Sequence, residues 1–467
     1  MRNCRSQFLA LFLFLAAAFL VLTNGFTARI AAQGNEVDVI SEIAPIGEVL
    51  DEILRNYVRE PDTAHVVEGA LIGMMNALDE HSSYISAEFY QEMTEETSGE
   101  FEGIGISIHL DEQKNIAVHH PIPGSPACRA GILGGDIIFK IDGVATKGMS
   151  LDEAADRIRG PRGTIVTLSV LRSFENPDLA PELLDIEVKR GKIPLESIAE
   201  FRLLEGGIGY IRVTDFKKPT ADEIAGHIAT LEEQGMKSLV LDLRWNPGGL
   251  LTSSQEVCSL FLPRNTLVTY TKARDLSSGD LTEDMRLFTD REPVLAPSVP
   301  IILLVNEHTA SSSEIVTGAL QFWRRAIVVG TKTYGKGSVQ TLIELHRPAG
   351  AALRLTTGLY YTPADVTIDN EGIKPDVEAP MALEQWARLL QQMRDSYVDD
   401  PAMQNQQNHG AATGNEKTST TIDDVQLMRA IEILNEDQLF ENLLEKYHKD
   451  TSETQVAAAE SSKEAVH

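Results

Sequence analysis

Three short apolar runs, at residues 238–243, 300–305 and 326–330, constrain this chain more than any other feature. Each is too short for a free-standing helix and is apolar at successive positions, so both of its faces must be covered, as in a strand buried between two layers. Residues 208–213 form a further strand pattern. Between the runs lie helical patterns at 220–234, capped by Thr220 and closed by Gly235, and at 311–322. Strands that alternate with helices predict an α/β layered core, here over about residues 192–380. The full chain has 467 residues, more than one ordinary core accommodates, so two to four domains are expected.

The remaining segments differ in pattern. Residues 36–97 read as helical: Val39, Ile43, Ile46, Val49, Leu50, Ile53, Leu54 and Tyr57 recur at helical spacing, Pro61 ends that helix, and a second runs over about 64–78. Residues 98–191 are β-rich. Within them, Ser150 and Glu153 form a capping box for a helix through Arg159, and residues 164–171 alternate as a strand. Residues 382–397 and 423–448 have helical patterns, separated by a polar linker at 401–421 rich in Gln, Asn, Gly and Thr. The last residues, from Lys449 onward, are expected to be a disordered tail.

Charge and cysteine content exclude several classes of function. The formal charge is −28, from 41 basic and 69 acidic side chains, which argues against a nucleic-acid partner and offers no attraction to anionic lipid. Cys4, Cys128 and Cys258 cannot build a disulfide framework, and no Cys/His cluster has zinc spacing, so no metal is expected. His119 and His120 are adjacent on an expected strand and should point to opposite faces. The N-terminus has Arg2 and Arg5 ahead of fifteen apolar residues, 8–22, followed by small residues at Ala28, Ala31 and Ala32. That order describes a secretory signal over residues 1–32, with an uncleaved membrane anchor as the alternative.

Three segments carry side chains suited to chemistry. The first, Thr309-Ala310-Ser311-Ser312-Ser313-Glu314, lies between a buried strand and a helix. A nucleophile there would sit at a strand exit, with helix-start N–H groups favouring a developing negative charge. A serine-rich helix cap is the plainer reading. The second, Gly335-Lys336-Gly337, places a lysine between residues that permit close backbone approach. Such a lysine can be desolvated and so supply a neutral amine as base, although a surface hairpin turn has the same composition. Gln340, four residues on, could orient that amine. The third, Asn246-Pro247-Gly248-Gly249, offers free backbone N–H groups for an oxyanion or is simply a strand-to-helix turn. A nucleotide-binding loop is disfavoured, because Gly337 stands where Ser or Thr would have to follow Lys336.

In this order the motifs resemble those of the carboxyl-terminal processing, or tail-specific, proteases. The resemblance extends over about residues 36–380 and rests on Ala77-Leu78-Asp79 through Tyr84, Gly99 through Gly105, Asp242-Leu243-Arg244 with Asn246 to Gly249, Thr309 to Glu314, and Tyr334 to Gln340. It implies a crotonase/ClpP-like α/β protease core with an inserted PDZ domain and helical N- and C-terminal segments. It further implies Ser311 as nucleophile, Lys336 as general base and Gln340 as its support. The oxyanion amides would be those of Ser312 and of either Gly248 or Gly249. The carboxylate-binding loop of the PDZ domain would be Gly103-Ile104-Gly105-Ile106. The implied activity is serine endopeptidase action on proteins near their free C-termini, with no cofactor.

Trp245 and Ser312 depart from the family pattern, which commonly has a small polar residue and alanine there, and Trp245 is expected to alter the substrate cleft. Two other readings stand beside this one. A Ser-His-Asp protease would need His308, and a non-catalytic PDZ scaffold would need none of these side chains. The amphipathic ends, around Val49 and Leu434, could pair between subunits or pack on their own core.

Overall fold

A computed structural model describes residues 38–446, except 112, 123, 174–179, 383, 387, 390–423 and 437. The expected signal segment, the whole polar linker and the tail lie outside the described residues, as does Cys4. The chain divides into two compact units. One comprises the N-terminal residues through Tyr90 with Tyr270–Met285 and Ser338–Tyr360; the other comprises Gln91–Thr269, Arg286–Gly337 and the residues from Tyr361 onward.

The second unit contains the α/β core. Its strands and helices are β1 (Ile198–Leu204), β2 (Ile208–Val213), α1 (Thr220–Glu233), β3 (Ser238–Asp242), α2 (Leu251–Ser259), β4 (Ile301–Val305), α3 (Ser312–Phe322), β5 (Ile327–Gly330), β6 (Val377–Glu378) and α4 (Val425–Asn435). The six strands form one sheet in sequence order, with β1 antiparallel to β2 and every later pair parallel. Parallel neighbours need crossover helices, and covering both faces explains why β3 and β4 are buried at every position. On one face, Tyr210, Val240, Ile302, Leu304, Ile327 and Val329 pack with Ala430, Ile433 and Phe440 from the C-terminal segment. Alternation sends Ile211, Leu241, Leu303 and Val328 to the other face, and all four are fully buried. At about 1.5–3 kcal/mol for each side chain removed from water, this two-sided burial is the main force that fixes the sheet.

The sequence places the elements well and some of their ends less well. Thr220 is the first helical residue of α1, not its cap; Pro219 is the cap, and the Thr220 Oγ1 instead accepts the Lys217 N–H at 2.8 Å. Gly235 follows the helix with φ +94, the left-handed position that glycine tolerates. The segment expected to be helical over 423–448 forms α4, breaks at Glu436, and resumes as helix at 438–446.

Also in the second unit, strands Ile106–Leu110, Ile116–Pro121, Ile137–Ile141, Ile165–Arg172 and Glu182–Lys189 pair in that order around a separate apolar cluster that includes Ile104, Val118, Ile138 and Leu168. The Ser150 capping box is formed. Ser107 pairs with His120 while Ile108 pairs with Val118, so the register slips at His119. Such a bulge interrupts strict alternation, and the rings of His119 and His120 meet edge-on at 4.9 Å instead of standing on opposite faces. A two-stranded ribbon, Glu100–Gly103 against Gly191–Pro194, pairs the residues that lead into and out of this domain.

The first unit holds helices Val39–Asn56, Thr63–Asn76 and, in part, Ala87–Ser98. It also contains strand Ser338–Glu344 and all but the last residue of strand Ala352–Tyr361, paired antiparallel, with Ser83–Ile85 on the other edge of the latter. Val39–Asn56 buries none of its residues. Among the described residues, no helix is long and apolar enough to cross a membrane.

Candidate active site

The chain leaves β4 and turns into α3 through Ser311, whose φ of +55 and ψ of −119 are rare for a residue with a side chain. Such strain persists only where neighbouring groups hold the backbone, and at this turn the holding group is Glu314. Its carboxylate is fully buried. One oxygen accepts the Ser311 N–H at 2.8 Å and the Lys336 N–H at 2.9 Å. The other accepts the Thr333 hydroxyl at 2.6 Å and the Gly335 N–H at 2.7 Å. Two segments expected to carry chemistry therefore share a single acceptor atom, and the nitrogens of residues 311 and 336 can be no farther apart than those two bonds laid end to end. Burial raises the Glu314 carboxyl above its ordinary range, and the four donors pull it back only in part.

The lysine loop is tied down again by the Tyr334 N–H, which donates to the Thr309 carbonyl at 3.0 Å. The glycines on either side of Lys336 lie hard against backbone. A Cβ at Gly337 would come within 2.2 Å of the Asp369 nitrogen, and one at Gly335 within 3.0 Å of the Gly372 nitrogen. Ser311 and Lys336 are both half-buried. Gln340 lies on strand Ser338–Glu344 of the first unit, where its Nε2 donates to the Ser338 Oγ at 2.7 Å.

The turn after β3 lies beside the serine turn. A Cβ on Gly248 would meet the Ser311 Cβ at 2.8 Å and the Ser312 nitrogen at 2.9 Å, so only glycine fits. The two glycines differ in what their amides do. The Gly248 N–H donates to the Asn246 Oδ1 at 2.9 Å. Among the described residues, the Gly249 and Ser312 N–H groups donate to no protein acceptor. Gly249 pairs with Phe216 as an isolated bridge, and its carbonyl accepts the Ser312 hydroxyl at 3.0 Å. The Asn246 carbonyl accepts the Ala310 N–H at 3.0 Å and the Ser313 hydroxyl at 3.1 Å, joining the two turns directly.

Sequence patterns named Asp242, Arg244 and Glu314 as parts of motifs but gave them no task. The spacing Ser311-x-x-Glu314 is a capping-box signature and could have exposed the Glu314 contact to the Ser311 amide. Arg244 is buried among the Asp242 carboxylate at 2.6 Å, the Asp424 carboxylate at 2.8 Å and the Gln426 Oε1 at 3.2 Å. Burial alone would raise the Asp242 carboxyl, but Arg244 and the Tyr210 hydroxyl outweigh it and hold it below its usual range. Trp245 has φ +58, and its ring meets that of Trp386 edge-on, 4.3 Å between centroids.

His308 is exposed, and its imidazole has no carboxylate partner among the described residues, as a Ser-His-Asp array would require. Among the described residues, no group of three or more His, Cys, Asp or Glu side chains is arranged to hold a metal.

In the β-rich domain, Ile104 is buried and Gly105 has φ +75, with room for no side chain beside Ser125. The Ile104 and Gly105 carbonyls are occupied by the N–H groups of Ala127 and Ile122, each at 2.9 Å. Gly103 ends the ribbon strand and Ile106 begins the next.

Comparison with known proteins connects this geometry to a family. Residues 207–379 match the description Peptidase family S41, and residues 118–172 match PDZ domain. The carboxy-terminal-processing protease of Bartonella bacilliformis is 39% identical over 375 residues, covering 79% of this chain and 81% of that protein. This chain belongs to peptidase family S41. It is a serine-type peptidase with a PDZ domain, and its relatives are named carboxy-terminal-processing proteases. The carboxy-terminal processing protease CtpA of Bacillus subtilis is 32% identical, covering 81% of this chain and 78% of that one. A solved structure described as the photosystem II D1 C-terminal processing protease is 25% identical, with a TM-score of 0.40, and covers 77% of this chain and 92% of that one.

Proposed function

We propose that this S41 peptidase is an exported endopeptidase that cleaves proteins near their C-termini, with Ser311 as nucleophile and Lys336 as general base. The observation that carries the reading is the shared Glu314 oxygen, because it binds the amides of both residues. Neutral Lys336 takes the hydroxyl proton as the Ser311 oxygen attacks the scissile carbonyl. The developing oxyanion is held by the Ser312 and Gly249 amides, the two with no protein acceptor; the Gly248 amide is already used by Asn246. The protonated lysine then gives its proton to the leaving amine, and water releases the acyl group. Gln340 is assigned to orienting the lysine on the family resemblance.

Substrate choice is assigned to the PDZ domain. A peptide C-terminus would add as an extra strand with its carboxylate at Gly103-Ile104-Gly105-Ile106. Export to the periplasm or cell envelope is supported by the basic start and apolar run of residues 1–32, whether cleaved or kept as an anchor.

The test is turnover of an unfolded protein substrate by Ser311→Ala and Lys336→Ala. Each should lose about a thousandfold or more in kcat with the fold intact. Near wild-type cleavage by either variant removes the dyad.

A further inference from the structure

The strained residue nearest in sequence to the Gly248-Gly249 turn is Trp245, a bulky side chain in the left-handed region at φ +58. A residue of this kind costs about 1–3 kcal/mol in that conformation and persists only where neighbours enforce it. Two contacts meet it. Its N–H donates to the Asn306 Oδ1 at 3.0 Å. Its ring packs edge-on against Trp386, with centroids 4.3 Å apart and planes at 80°. Trp386 lies beyond the S41 match, is only 7% exposed, and also has the Arg244 guanidinium over its ring at 5.8 Å. It therefore bears on both residues that lead into the turn.

The next residue, Asn246, makes this contact consequential. Its carbonyl holds the Ala310 N–H and the Ser313 hydroxyl, and its side chain holds the Gly248 N–H and reaches the Val213 carbonyl at 3.0 Å. Rotation about residue 245 would turn the Asn246 carbonyl away from the serine turn and move the succeeding amides with it. A glycine at 245 would adopt the same φ without strain and would need no clamp.

We propose that Trp386 is a positioning residue for the peptidase reaction: acting through Trp245, it holds the Asn246–Gly249 turn in register with Ser311 and Ser312. The proposal rests on the Ser311 reading. It makes the segment beyond the catalytic core a working part of the oxyanion turn.

The experiment is a double-mutant cycle on the full-length protein. The rates are kcat and KM on an unfolded protein substrate, and acylation by a fluorophosphonate, each normalised to sites titrated at Ser311. Trp386→Ala should lower kcat and the acylation rate by about ten- to a hundredfold, with KM changed less than about twofold. Trp386→Phe, which keeps the aromatic edge, should restore both rates. In a Trp245→Gly background, Trp386→Ala should change kcat less than about twofold. Wild-type kcat in Trp386→Ala overturns the proposal. An equal loss in both backgrounds overturns it too, because Trp386 would then act by another route. Should Trp386→Ala not fold, Trp386→Leu keeps an apolar side chain and leaves a smaller cavity without the aromatic edge, and wild-type rates in that variant overturn the proposal equally. Failure of the underlying reading looks different: the fluorophosphonate would not label Ser311 in the wild type.

Discussion

Removing the Glu314 carboxylate in two ways separates its roles as acceptor and as charge. Its four bonds divide into two pairs, with Ser311 and Lys336 on one oxygen and Thr333 and Gly335 on the other. In Glu314→Gln the amide has one oxygen and one NH₂. With its nitrogen toward Ser311 and Lys336, two backbone N–H groups would face a donor, each left unsatisfied at about 1–3 kcal/mol. With its nitrogen toward Thr333 and Gly335, the Thr333 hydroxyl, which already accepts the Ile373 N–H at 2.7 Å, can accept the amide on its second lone pair, and of the backbone donors only the Gly335 N–H is stranded. The second orientation therefore wins. Glu314→Gln should lose about 1–3 kcal/mol of stability and keep the link between residues 311 and 336. Glu314→Ala strands all four donors and opens a cavity, on the order of 5 kcal/mol or more, and it frees the two segments. Urea unfolding followed by tryptophan fluorescence reads the first quantity; turnover per titrated site reads the second. Glu314→Gln should retain kcat within about tenfold, and Glu314→Ala should fall by more than about a hundredfold. Equal damage from both substitutions, or wild-type turnover by Glu314→Ala, would refute the argument that the shared oxygen aligns the site.

Arg244→Met leaves the Asp242 and Asp424 carboxylates facing each other without a cation, and it should cost about 3–5 kcal/mol in chemical denaturation. A loss below about 1 kcal/mol would mean that Arg244 does not hold α4 to the sheet. Asp376, which accepts from the Val328 N–H and the Gln321 side chain, is pushed by burial from 3.8 to about 6. A folded value above the unfolded one means that the folded state holds the proton more tightly, so this contribution is present below about pH 4 and is lost as pH rises to about 6. Asp376→Asn should therefore gain up to about 3 kcal/mol relative to wild type across that interval, measured by urea unfolding at each pH; a constant difference would refute the assignment.

The sequence was legible where local pattern determines structure. The runs at 238–243, 300–305 and 326–330 became β3, β4 and β5 because burial on both faces leaves an unmistakable apolar signature. The resemblance pointed to Ser311 and Lys336 as a pair, but the shared carboxylate between their amides is tertiary and arises from no spacing of those two residues. Strand Leu281–Phe288 went unread because almost all of it is exposed and charged side chains interrupt its alternation. Strands Ser338–Glu344 and Ala352–Tyr361 went unread for a related reason: they carry long stretches of partly exposed residues and no continuous apolar run. The Arg244 contacts to Asp424 and Gln426 join positions about 180 residues apart, beyond the reach of any periodicity. Trp245 was visible as an unusual residue, but its partner Trp386 was not, since nothing in the intervening sequence indicates that the C-terminal segment returns to the turn after β3.

The ribbon at the base of the PDZ domain also bears on how such a protein can change. Gly103 and Gly191 stand opposite each other, so residues 104–190 leave the scaffold and rejoin it at neighbouring points. Closing so narrow a gap costs a short linker little entropy. A protein of this design can exchange, lengthen or discard its recognition module as one cassette, and no strand of the six-stranded sheet has to change register.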